Sequence, residues 1–118
     1  MALVRVRMRV CDKVHEIEVR QRDDGLLDVH IESDCIKVWE YGRDMGPLSM
    51  DDLGSITQSR IMDPLLVEHL TPTCMAPVAV FNAAWLEAGM ISRSFALQAG
   101  ENTLEFLDDS VRSNEDSP

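Results

Sequence analysis

Three stretches of strict two-residue alternation between residues 3 and 32 constrain the fold more than any other feature. In "LVRVRMRV", Val4, Val6, Met8 and Val10 share one face while Arg5, Arg7 and Arg9 share the other. That is the period of a half-buried strand. After "CDK", the run "VHEIEVR" sets Ile17 and Val19 against Glu16, Glu18 and Arg20, as the return strand of a hairpin would. "RDDG" supplies the next turn. "LLDVHIE" is a third strand, with Leu27, Val29 and Ile31 inward and Asp28, His30 and Glu32 outward. Opposite charges on the outer faces can pair across strands, at about 0.2–1 kcal/mol each. The arginine row is therefore expected to be a solvated, self-neutralised face.

Beyond residue 32 the period changes. "SDCIKVWEYGRDMG" opens on the cap residues Ser33 and Asp34 and closes at Gly42 or Gly46, which predicts a short helix that Pro47 cannot prolong. Ser49 with Asp52 is a capping-box variant. Asp63 before Pro64 marks another helix start. In "HLTPTCMAPVAVFNAAWLEAG", Pro77 lies in the first helical turn and Gly89 ends the helix. Val80, Phe81, Ala84, Trp85 and Ala88 have the spacing of its buried face. Ser92 caps a last short helix ending at Gly100, and "NTLEFL" reads as a fourth strand. The order β-β-β-α-α-α-β predicts an α+β domain, a small antiparallel sheet with helices packed on one face.

A chain of 118 residues fits one domain, here residues 1–107. The stretch 108–118, "DDSVRSNEDSP", is polar and acidic and is expected to be a disordered tail. The net charge of -10 argues against nucleic acid as a partner, since phosphates would be repelled. No apolar run approaches the roughly 20 residues of a membrane span. The first ten residues alternate arginine with apolar side chains, unlike a signal peptide, so a cytoplasmic location is expected.

Cysteine placement is the chief chemical signal. The three cysteines, Cys11, Cys35 and Cys74, are an odd number lying far apart, which predicts reduced thiols rather than a disulfide framework. Strand one runs out towards Cys11 and strand three out towards Cys35, so both emerge at one end of the sheet. With strands in the order one-two-three, the outer strands lie roughly 9–10 Å apart, too far for a disulfide. Cys35 and Cys74 each fall at a predicted helix N-terminus, where backbone N–H groups and the dipole favour a thiolate. His15, on the parity of Ile17 and Val19, and His69, five residues before Cys74, are candidate fourth metal ligands. His30 points outward among charges and is a poor one. Asp12 and Asp34 fit as outer-shell or labile ligands, or as ordinary turn and cap residues. Against this stands the plainer role of free cysteine as a small buried hydrophobe. The spacings match no zinc pattern, and no Cys-x-x-Cys occurs.

Other constellations are missing. The six glycines form no phosphate-binding loop, and no nucleophile elbow surrounds any serine. The methionines are scattered like core filler. Trp39 and Trp85, among apolar neighbours, are expected in the core.

At "VRMRVCDKVHEIEV", "VHIESDCIKVWEYG" and "LTPTCMAPVAVFNAAWLEAG" the chain resembles a family of short, uncharacterised cysteine-containing proteins from anaerobic archaea and bacteria. There, a cysteine ends the first strand, Ser-Asp-Cys closes the third, and a Cys followed by Pro opens the long helix. The resemblance spans residues 3–107 and marks Cys11, Cys35 and Cys74. The chain departs from it in the Met-Ala-Pro after Cys74 and in having no further cysteine near His69, which leaves a fourth ligand open. A fainter likeness runs to the TSCPD-type cysteine domains found beside ribonucleotide reductases. Both imply metal-binding cysteines, and neither supplies a reaction.

Three functions are therefore expected in turn. One is an accessory or scaffold protein holding an iron–sulfur cluster or zinc through Cys11, Cys35 and Cys74, with His69 or His15. Another is a non-catalytic interaction domain docking a larger protein partner, with structural cysteines; a homo-oligomer is compatible with it. The last is a thiol enzyme using Cys74 activated by the helix end and His69.

Overall fold

A computed structural model of the chain describes residues 1–111, so most of the expected acidic tail, 112–118, lies outside the described residues. The three alternating segments form β1 (Ala2–Met8), β2 (Lys13–Gln21) and β3 (Leu27–Ser33). They make one antiparallel sheet in the order β1-β2-β3. Its register pairs Val6 with His15 and Ile17 with Ile31, keeping apolar side chains in step on the inner face. Arg5 falls opposite Glu16 and binds it at 2.7 Å, as the charge pattern predicts. Arg7 falls opposite Val14 instead. Among the described residues neither Arg7 nor Arg9 has an acidic partner. The outer face is therefore neutralised only in part.

Among the described residues four α-helices follow: α1 (Ile36–Met45), α2 (Pro64–Val67), α3 (Ala76–Glu87) and α4 (Arg93–Ala99). Helix α1 packs on β3, and α3 packs on β1 and β2. The fold is thus α+β, with the helical layer on the sheet's inner face. Close approach of α1 depends on Gly42, because a Cβ there would lie 2.7 Å from Ile31 Cγ1. Tyr41, fully buried, donates its hydroxyl to the Ile61 carbonyl at 2.9 Å. Arg60 donates to the carbonyls of Met45 and Asp44, satisfying groups that the end of α1 leaves open. The capping box at Ser49 and Asp52 closes a 3₁₀ turn over Met50–Leu53, and Asp63 caps α2 through the Leu65 N–H.

Three expectations are corrected. "NTLEFL" does not form a fourth strand: residues 102–107 have no regular structure and are exposed. Alternation describes what a strand would bury, but a strand exists only when an edge pairs with it, and α4 carries this segment off the body. The buried face of α3 is the small-residue set Ala76, Ala79, Val80, Ala83 and Ala84, while Phe81, Trp85 and Ala88 pack at its margin. The helix is apolar all round, so its pattern could not select a face. Trp39 is 39% exposed, with Arg43 stacked 5.1 Å from its ring centre, rather than in the core.

Candidate functional site

Two surfaces carry the molecule's unassigned chemistry: the sheet end that bears the thiols, and the segment from α4 onwards. At the first, β2 and β3 bring His15 opposite Ser33, and His15 Nδ1 meets Ser33 Oγ at 2.7 Å. The Ser33 hydroxyl also accepts the Cys35 N–H at 2.9 Å, but neither Ser33 nor Asp34 is the cap residue: Cys35 occupies the cap position of α1, with no side-chain cap bond. Cys11 lies exposed in the β1–β2 turn, its Sγ 3.8 Å from the Met8 carbonyl. The turn is held by Asp12 in the left-handed region, at φ 58°. Cys74 ends a turn closed on the Thr71 carbonyl, and its sulfur accepts the Ala76 N–H at 3.5 Å. All three cysteines are free.

The electrostatics differ from the expected thiolate pocket. Burial pushes the Cys74 thiol up, outweighing the Ala76 N–H that favours its ionised form. Cys35 and Cys11 raise it further. His15 is inward as predicted, only 1% exposed, and burial lowers its pKa despite the opposing pull of Asp34. His69 is exposed and pairs with Glu68 at 3.4 Å. Among the described residues, no three His, Cys, Asp or Glu side chains form a group able to hold a metal ion. Cys74 is half-buried, and no hydrogen bond joins it to His69 among the described residues.

The second surface went unrecognised in the sequence. Helix α4 buries no residue, and Phe95 and Leu97 are 68% and 73% exposed. Gly100, at φ 83°, turns the chain into residues 101–107, where Leu104, Phe106 and Leu107 are also exposed, Phe106 by 80%. The root of this arm is fixed. Arg93 donates to the Met1 carbonyl at 3.2 Å and reaches Glu87 at 3.4 Å. Glu87 in turn accepts the Gln21 N–H and pairs with the Met1 ammonium. A count of available sheet edges, set beside the apolar residues of 95–107, is the signal that could have exposed the arm. A further groove of about 380 Å³ runs between β3 and α1 past His30, Trp39 and Arg43. Its charged groups already have partners, His30 with Glu32 and Arg43 with Asp44.

Fold and surface together define a small α+β domain with a sheet covered on one face and an apolar arm held clear of its core. The chain belongs to DUF6951, a family of unknown function, whose model matches residues 2–99. No curated protein and no solved structure matches it. The matched span closes at the end of α4, and the arm beyond Gly100 follows it. Among the described residues, no helix is long and apolar enough to cross a membrane.

Proposed function

We propose that this protein is a non-catalytic protein–protein interaction domain, in which residues 93–107 form the docking surface and the cysteines are structural. One observation carries the reading: five large apolar side chains, Phe95, Leu97, Leu104, Phe106 and Leu107, stand exposed on an arm anchored to the body. Large apolar side chains exposed together along one segment mark a candidate contact site on a folded protein. Aromatic anchors such as Phe95 and Phe106 are the side chains that dominate interface energies. The test is the stoichiometric complex formed by the full chain in its own cells, measured by native mass spectrometry. Phe95→Glu and Phe106→Glu should abolish it without lowering the Tm, whereas Cys11→Ala, Cys35→Ala and Cys74→Ala should leave it intact. A complex indifferent to both phenylalanines overturns the reading.

A second reading, metal capture by Cys11, Cys35 and Cys74, is favoured by the topology, in which β1 ends before Cys11 and the co-directional β3 ends before Cys35 at the same end of the sheet. It requires the exposed Cys11 turn to close towards the other two. Purification without oxygen followed by metal analysis tests it. A metal-free, colourless protein whose Tm is unmoved by added zinc ends it.

A further inference from the structure

The sheet has two free edges, and only one suits the arm. Strand β1 pairs with β2 alone. Apart from the Met8 carbonyl, which takes the Cys11 thiol, the outward backbone groups of Ala2–Met8 have no protein partner among the described residues. The side chains flanking that edge are incompletely satisfied. Val4 and Met8 are only half-buried on the inner face, Leu3 is exposed on the outer face, and among the described residues Arg7 and Arg9 have no acidic partner. Strand β3 differs. Its outer face carries Asp28 and Glu32, and one end is already bridged, Leu27 to Leu48.

Five of the seven residues 101–107 are complementary to the β1 edge and the Arg9 that follows it. Laid antiparallel with Glu105 opposite Arg5, it sets Glu101 beside Arg9, Thr103 beside Arg7 and Leu107 beside Leu3 on the outer face. The same register sets Leu104 beside Val6 and Phe106 beside Val4 on the inner face, where β1 leaves apolar surface uncovered. Leucine and phenylalanine of the arm meet apolar side chains on both faces, and its two acids face Arg5 and Arg9, while Thr103 falls beside Arg7 and Asn102 beside Met8. Against β3 the same acids would face Asp28 and Glu32.

The chain's own β1 offers this register at the wrong end. Antiparallel addition must begin beside Met8, whereas Arg93 ties the start of α4 to Met1. Strand β1 runs about 23 Å from Met1 to Met8, and α4 spans only about 10 Å. A second copy has no such tether.

We propose that residues 101–107 of one copy add as a fourth strand to the β1 edge of a second copy, and reciprocally, giving a closed two-fold dimer. This rests on reading residues 93–107 as the interaction surface and names its partner. The exchange pairs the open backbone edge, a recurring mode of recognition, and isologous contact closes the assembly at two chains.

Light scattering coupled to size exclusion, across a micromolar concentration series, tests it on the full chain. Wild type should give twice the chain mass. Arg5→Glu with Arg9→Glu should give one chain mass, as should Glu101→Arg with Glu105→Arg, and the combination of all four should restore the dimer. Backbone amides of β1 should gain hydrogen-exchange protection as concentration rises. A monomer at every concentration overturns the proposal, as does a dimer indifferent to both charge reversals. A monomer whose β1 amides are protected at all concentrations overturns it too, since the arm would then fold onto its own edge. If the chain is monomeric yet Phe106→Glu removes a heterologous complex, the exchange fails and the interaction reading stands. If no association depends on the arm, both fail.

Discussion

Glu87 accepts the backbone N–H of Gln21 at 2.9 Å, joining the end of α3 to the end of β2 across 66 positions of sequence. The same carboxylate lies 3.0 Å from the Met1 ammonium and 3.4 Å from Arg93. It therefore gathers the first strand, the second strand and the root of the arm at one point. The hub orients α4, and α4 aims the surface on which the proposed function depends.

Removing this carboxylate should destabilise the fold. Glu87→Gln is expected to cost about 1–3 kcal/mol, the range for a hydrogen bond to a charged group, read from the urea midpoint. Burial alone would raise the Glu87 pKa, but the Gln21 N–H, the ammonium and Arg93 together hold it below the usual carboxylate range. A carboxylate with a depressed folded pKa adds stability above its unfolded value, and that stability is lost as pH falls through the folded one. The wild type should lose this increment in acid, and the Gln variant should not.

A second pH effect should appear nearer neutrality. Burial holds the His15 pKa below the ordinary imidazole value, with Asp34 partly opposing. Below that ordinary value the unfolded chain takes up a proton that the folded one still refuses. Stability should therefore fall as pH drops through this window and level off once the folded pKa is passed. His15→Gln, which can keep a hydrogen bond to Ser33, should flatten the curve there while leaving the more acidic, Glu87-dependent loss in place. Urea midpoints recorded across pH check both.

Gly42→Ala should destabilise the domain by about 1–3 kcal/mol, because overpacking forces α1 away from β3. The new Cβ would meet Ile31 Cγ1 at 2.7 Å, Cδ1 at 2.8 Å and Cβ at 2.9 Å. Ile31→Ala removes the first two contacts at a cost of about 2–5 kcal/mol of its own. Combined, the two substitutions should cost less than their sum, a coupling measurable in a double-mutant cycle.

The thiols should react in order of exposure. Cys11 should be alkylated first and Cys74 last in the native protein at neutral pH, with Cys74 slower than in urea, since only the thiolate attacks. Burial raises the Cys74 thiol above its usual value, so its rate should climb with pH beyond the range where an unperturbed thiol has levelled off. Peptide mapping of timed alkylation reads each site separately.

The sequence by itself determined the sheet. The alternation of Val4, Val6, Ile17, Val19, Leu27 and Ile31 has a period of two, and a one-residue slip would turn every one of them to water. It also determined the helix starts at Ser49, Asp63 and Ser92, because capping acts between residues two or three apart. The face of α3 was decided only in the tertiary structure, since a helix apolar on every side gives no local reason to bury Ala79 rather than Trp85. The fate of Leu104 and Phe106 was decided there too: their spacing describes a strand, but pairing depends on which edge lies within reach. The state of Cys74 followed the same rule. A helix start favours a thiolate locally, whereas desolvation by the assembled core is a sum over distant segments, and here it is the larger effect.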